Sequence, residues 1–178
     1  MSERGIAVRR LGGAEAREEI PALADILIDC VEGGASVSFM APLSRERAEG
    51  FWRMVAGGVE RGARALLVAE DRATGRLLGT VQLVLEQPEN QPHRADLAKM
   101  LVHRDARRRG LGAALLRAAE DTARAAGKTL IVLDTVSGGD AARLYERLGW
   151  IKAGAIPGYA LWPDGRPCAT TYYYKTLA

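Results

Sequence analysis

Arg107-Arg108-Arg109-Gly110-Leu111-Gly112-Ala113 joins an apolar, β-like run to a long helical pattern. Asp96–His103 reads as the strand. Gly110–Ala126 reads as the helix, with Leu111, Leu115, Ala118, Ala119, Thr122 and Ala126 on one face and Gly127 suited to its C′ position. Glycines let a backbone approach a ligand closely. The free N–H groups and positive dipole end of the helix's first turn favour a phosphate. Three arginines add charge beside them, so the stretch suits a pyrophosphate. Two rival readings exist. One is a solvated basic loop whose glycines ease helix entry. The other is a dinucleotide fingerprint, since Asp134 lies 22 residues past Gly112. That motif needs a third glycine, where Leu115 stands, and a tight turn, where six residues separate the strand from Gly110.

Outward from this stretch, the pattern reads β, α, α, three strands, α, β, α, β, β. Ile6–Leu11 is a short strand. Ala14–Glu32 is an amphipathic helix stopped by Gly33-Gly34. Ser44 can cap a second helix carrying Ala48, Phe51, Trp52, Val55 and Val59. Ala65–Glu70 and Leu77–Glu86 are strands, followed by the polar loop Gln87–His93. Thr129–Asp134 is a nearly pure apolar run, as expected of a strand buried on both faces. Asp140 can cap a short helix ending at Gly149. Trp150–Ile156 and Thr170–Lys175 are the last strands, separated by the loop Pro157–Pro167. The expectation is one domain over residues 1–178: a mixed sheet with helices on its faces, of the α/β (α+β) kind.

Composition narrows the classes. The 178 residues are 48% hydrophobic and 26% charged, which is globular composition. Such a chain buries about 70% of its unfolded surface and needs no disulfide or metal to fold. Cys30 and Cys168 are read as reduced thiols, and with His93 and His103 they form no metal pattern. The net charge of +3 and the 6% aromatic content argue against a nucleic-acid partner. No apolar run follows Met1–Gly5 and none reaches membrane-spanning length, so a cytoplasmic protein without a membrane partner is expected.

Arg107-x-x-Gly110-x-Gly112 resembles the acetyl-CoA signature of the GCN5-related N-acetyltransferases, the GNAT family. Ala141-Ala142-Arg143-Leu144-Tyr145-Glu146-Arg147-Leu148-Gly149-Trp150 resembles that family's second block. The resemblance implies the GNAT fold, a mostly antiparallel mixed sheet of about seven strands flanked by about four helices. It implies acetyl-CoA as cosubstrate, with no metal. It also implies a bulge at the end of the strand before the signature, whose backbone lines the cofactor at Leu101, Val102 and His103. Arg107, Arg108, Arg109, Gly110, Leu111, Gly112 and Ala113 would complete the cofactor site. The family often carries Asn seven residues before the tyrosine. Gly138 stands there, leaving Asp140 or water to substitute.

A narrower resemblance is to the tabtoxin resistance acetyltransferases, which acetylate the amine of a β-lactam amino-acid toxin. It rests on residues 33–40, Leu133-Asp134-Thr135, Pro157-Gly158-Tyr159, Pro163-Asp164-Gly165-Arg166 and Lys175-Thr176-Leu177. An alkyl ammonium has a pKa near ~10, so a base helps at neutral pH. The resemblance places Asp134 and Asp96 where they could take that proton, and Tyr145 where it could give one to the coenzyme thiolate. An N–H near Leu101 could polarise the acetyl carbonyl. Phe39, Met40, Tyr159 and Trp162 could wall a small amine acceptor, and Glu32 or Asp164 could hold its ammonium. A protein or peptide amine is the alternative acceptor, and a non-catalytic acyl-CoA sensor the alternative class. An edge strand near the C-terminus could support a homodimer.

Overall fold

Alternation along the central strands places two cores on opposite faces of one sheet. The computed structural model describes residues 5–177; Met1–Arg4, within the stretch read as leaderless, and Ala178 lie outside the described residues. The chain runs β1 (Ile6–Leu11), α1 (Gly13–Glu18), α2 (Ile20–Glu32), α3 (Arg45–Glu60), β2 (Arg64–Asp71), β3 (Leu77–Val84) and β4 (Arg94–Val102). A 3₁₀ turn (Arg104–Ala106) follows, then α4 (Leu111–Ala125), β5 (Leu130–Val136), α5 (Asp140–Arg147), β6 (Ile151–Leu161) and β7 (Pro167–Thr176). The seven strands lie in the order β1-β2-β3-β4-β5-β7-β6. All neighbours are antiparallel except β4 and β5. This is the expected mixed, mostly antiparallel sheet.

In β2, Ala65, Leu67 and Ala69 face the core beneath α4 and α5, while Leu66 and Val68 face the core beneath α2 and α3. That is the period of two expected of a strand covered on both sides. Ser44 caps α3 as expected, accepting a hydrogen bond from the Arg47 N–H at 3.3 Å.

Four local expectations change. The helix expected over Ala14–Glu32 is two, giving five helices rather than four. Pro21, in the first turn of α2, has no N–H to continue the ladder from α1. The loop expected over Pro157–Pro167 is mostly strand, because β6 is an edge where proline is tolerated. Its register slips between Ile156 and Ala160, and Gly158 has φ +61°. β5 buries only Ile131 and Leu133 fully, because β4 covers it over three residues alone. Asp140 is the first residue of α5 rather than its cap; Gly139 caps it, and Asp140 pairs with Arg143 at 2.5 Å.

A buried carboxylate, paired with a lysine, ties α4 to β7. Glu120, 6% exposed, accepts from Lys175 Nζ at 2.9 Å on both oxygens and from Trp150 Nε1 at 3.1 Å. Lys175 also donates to the Leu148 carbonyl at 2.8 Å. Lys175→Met would leave the Glu120 charge buried beside one indole donor. The expected loss is about 3 kcal/mol, read from urea midpoints, with Glu120→Leu in the same chain recovering most of it.

Candidate functional site

The site begins with one extra residue in β4. Thr80 pairs with Leu101 and Gln82 with Ala98, so two residues, Lys99 and Met100, stand opposite Val81. Lys99 has φ +52°, a value rare for a side-chain-bearing residue. This β-bulge reverses the strand's faces. Ala95 and Leu97 point to the α4 core, yet Leu101 points to the opposite core, and Met100 and Val102 take over the α4 side.

The bulge also opens the sheet. Parallel pairing of β4 with β5 covers only Arg94–Asp96 against Leu130–Val132. β5 continues in register with β7 through Val136, whereas β4 turns away. The facing edges beyond Asp96 and Val132 carry backbone groups without a partner strand, a lining suited to an extended polar ligand.

At the wide end of this gap lies the Arg107–Ala113 loop. Gly110, with φ +83°, caps α4 in the left-handed region. Arg108 is also left-handed, at φ +60°. Among the described residues, none of the six N–H groups from Arg108 to Ala113 meets an acceptor, and the first bond of α4 is Ala114 N–H to Gly110 O at 3.1 Å. Arg107, Arg108, Arg109 and Gly110 are exposed. The lining and the open amides together fit a pyrophosphate with an extended polar arm. Gly112 has a packing role as well: a Cβ there would meet the Leu144 side chain of α5 at 2.9 Å. Arg107 braces the loop from below through Nε to the Val102 carbonyl at 3.1 Å.

The predicted catalytic groups come to the gap unequally. Tyr145 is 4% exposed, with its ring beside those of Trp150 at 5.7 Å and Tyr173 at 5.9 Å. Among the described residues its hydroxyl has no hydrogen-bond partner, yet the one sealed and unpartnered side-chain donor there is Trp52 Nε1. The Tyr145 hydroxyl therefore retains access to solvent. Burial, helped by the charge of Asp134, pushes this phenol far above its ordinary range. Asp134 is exposed rather than buried, and its carboxylate accepts no hydrogen bond among the described residues. Asp96 is already engaged: Arg94 Nη1 donates to one oxygen at 2.5 Å and Gln87 Nε2 to the other at 3.0 Å.

Other predicted residues also divide. Leu101 buries its side chain in the α2–α3 core. The Val102 carbonyl is taken by Arg107 and, at 3.6 Å, by the Cys30 thiol. The His103 imidazole turns toward Asp29 and Arg76, lining a surface pocket of about 400 Å³ on the α2 side. Phe39 packs edge-on against Phe51 at 5.4 Å. Tyr159 hydrogen-bonds Tyr172 at 2.8 Å, and Tyr172 is the register partner of Asp134. Met40 is 40% exposed. Trp162 lines a separate pocket of about 250 Å³ with Glu32 and Asp164. Gly138, at φ +74°, lends its carbonyl to Arg143, and the Arg143 guanidinium holds the Asp140 carboxyl below the usual range.

Lys99, Phe51 and Tyr172 escape the sequence reading. Apolar residues at both parities, Leu97 and Leu101 against Met100 and Val102, mark the bulge in retrospect.

A family model for the acetyltransferase (GNAT) family matches residues 22–150. An uncharacterized N-acetyltransferase from the hisH-hisA intergenic region of Azospirillum brasilense is 34% identical over 114 residues. That match covers 63% of this chain and 65% of the relative, so the chain spans about two-thirds of that protein's length. The fold is shared with yncA from Salmonella typhimurium, solved with its cofactor acetyl-CoA, at TM-score 0.78 and 20% identity over 97% of this chain and 94% of that one. It is shared equally with a ribosomal-protein-alanine N-acetyltransferase from Brucella melitensis, at TM-score 0.79 and 22% identity over 96% and 99%.

The left-handed cap gives a direct test. Gly110→Ala is expected to lower stability by about 1 kcal/mol, and Gly110→Asn by less, since asparagine tolerates that conformation. Urea midpoints read both.

Proposed function

We propose that this chain, which belongs to the acetyltransferase (GNAT) family, moves the acetyl group of acetyl-CoA to the amine of a small, amino-acid-like molecule by direct transfer in a ternary complex. The observation that carries this reading is the gap between β4 and β5, with open amides at its wide end and Asp134 and Tyr145 beside it. Acetyl-CoA supplies the activated thioester. The amides of Arg108–Ala113 hold its pyrophosphate, and the unpaired edges of β4 and β5 hold its extended arm.

The remaining work is proton movement. Asp134, exposed and unpartnered, takes a proton from the acceptor's ammonium. Asp96, with both oxygens held by Arg94 and Gln87, is the weaker candidate. Tyr145 stays protonated at working pH because burial raises its pKa, so its hydroxyl can offer a hydrogen to the leaving sulfur. The unpaired backbone beside the bulge, next to Leu101, can polarise the acetyl carbonyl.

The acceptor side favours a small molecule. The loop after α2 is pinned to the β6–β7 turn by Ala41 N–H to Pro163 O at 3.1 Å and by Ser36 Oγ to Leu161 O at 2.7 Å. Phe39 and Tyr159 belong to these two segments. A β-lactam amino-acid toxin is the narrower candidate, supported by the loop resemblance. Among the described residues no helix is long and apolar enough to cross a membrane, which is compatible with a cytoplasmic enzyme. A homodimer would use β6, an edge strand exposing Ile151 and Ile156.

The test is incubation with acetyl-CoA and a panel of amino acids, polyamines, aminoglycosides, the β-lactam toxin and a peptide N-terminus. Thiol release reports turnover and product mass reports the acceptor. Transfer to the peptide alone would replace this reading with protein acetylation. With a working acceptor, Tyr145→Phe is expected to lower kcat roughly 100-fold with little change in acetyl-CoA affinity. Asp134→Asn should cost about as much at neutral pH and recover as pH climbs toward the acceptor's own pKa, near ~10. If Asp96→Asn shows that recovery instead, the base is Asp96. Light scattering of wild type against Ile156→Asp reads the dimer.

A further inference from the structure

Among the described residues, three that are not glycine have left-handed φ: Ser38 at +75°, Lys99 at +52° and Arg108 at +60°. Such values cost free energy and persist where the surrounding structure imposes them. Two of the three touch each other. Lys99 Nζ donates to Ser38 Oγ at 3.1 Å and lies 5.6 Å from the centroid of the Phe51 ring. The bulge of β4 and the loop after α2 therefore meet at one ammonium.

That ammonium is incompletely satisfied. It carries three N–H donors, and Ser38 takes one. The side chain is half-buried. Burial pushes its pKa below the ordinary lysine range and Arg64 adds to this, while the negative charge of Asp134 opposes them. Lys99 thus feels the charge of Asp134, yet among the described residues no ion pair joins them. Tyr172, opposite Asp134 on β7, also feels the Asp134 charge. A cation and an anion face one gap without meeting, each with hydrogen-bonding capacity to spare.

We propose that Lys99 binds the carboxylate of the acceptor, so that the substrate class is a zwitterionic amino acid with its ammonium on Asp134 and its carboxylate on Lys99. This rests on the small-amine reading above and deepens it. A carboxylate would restore charge and hydrogen bonds that burial has taken from the ammonium. Phe51 and Phe39 form an apolar wall beside that head group. The strained backbone has a role here: at φ +52° the extra residue of the bulge is a lysine, where a glycine would relieve the strain but bring no charge.

The test compares α-amino acids with their own α-amides: leucine, methionine and glutamate against leucinamide, methioninamide and glutamic acid α-amide. The readout is the ratio of kcat/KM for acid to amide, in wild type, Lys99→Gln and Lys99→Met. Lys99→Gln can keep a hydrogen bond to Ser38, and both variants keep a side chain at the bulge. Thermal melting confirms that each folds. The same pairs are titrated calorimetrically into the protein–CoA complex, so binding is read apart from turnover. The wild type is expected to prefer the acids. Both variants should lower that ratio roughly 10- to 100-fold, the range for a hydrogen bond to a charged group, with the change in KM rather than kcat. A ratio unchanged in Lys99→Gln, or equal losses on acid and amide, would overturn the role of Lys99 and leave the acetyltransferase reading intact. Absence of both transfer and binding for every pair would overturn the small-amine reading and the zwitterion with it.

Discussion

The gap between two parallel strands is the constraint on which the site depends. β4 and β5 hold together for three residues and then part. β5 has no choice of path, because seven consecutive residues, Leu130–Val136, pair with β7. β4 is likewise fixed to β3 on its other edge, but its extra residue bends it. The separation is thus a consequence of two complete ladders pulling adjacent strands in different directions. The gap leaves backbone groups unpaired, and the two cores on either side of the sheet hold it open.

The parting also sorts the chemistry by location. At the wide end, the amides preceding and opening α4 are unbonded, and Gly110 supplies the left-handed turn that aims them. Farther in, α5 brings Tyr145 against Trp150 and Tyr173, and burial keeps its phenol protonated. On β5, Asp134 sits past the last residue that β4 covers, so its carboxylate is exposed. Asp96 lies in the zipped segment and is tied to Arg94 and Gln87.

The fold was legible because its signals are local. The helical spacing of α3, the Ser44 cap and the glycine-rich entry to α4 each act within a few residues, and all three appear as read, whereas the helical pattern over Ala14–Glu32 breaks at Pro21. The arginine- and glycine-rich loop and the short helix that carries Tyr145 were legible for the same reason. What escaped is set by pairing between distant segments. A bulge was expected at this end of β4, but its position depends on how β4 meets β3, so Lys99 read as an ordinary strand residue. Pro157 and Gly158 looked like a loop, because edge-strand pairing with β7 cannot be seen from composition. The His103 imidazole takes its orientation from Asp29 and Arg76, which are far from it in sequence, and from Asp105 nearby.

The proposed acceptor side draws on those distant pairings more than the proposed cofactor side does. Ser38 and Phe39 lie in the loop after α2, and that loop is fastened to the β6–β7 turn through Ala41 with Pro163 and Ser36 with Leu161. The Cys168 thiol reaches the Ser36 hydroxyl at 3.8 Å, adding a third tie from β7. Displacing the hairpin would therefore move Ser38, and with it the hydroxyl that steadies Lys99. The amides of Arg108–Ala113 share none of these ties, since their loop is braced by Arg107 on Val102 and by α4 itself. On the proposed reading, a cofactor end built around one helix entry joins an acceptor end assembled from segments far apart in sequence. On that reading, changes in the hairpin alter which amine is taken while leaving the Arg108–Ala113 amides in place.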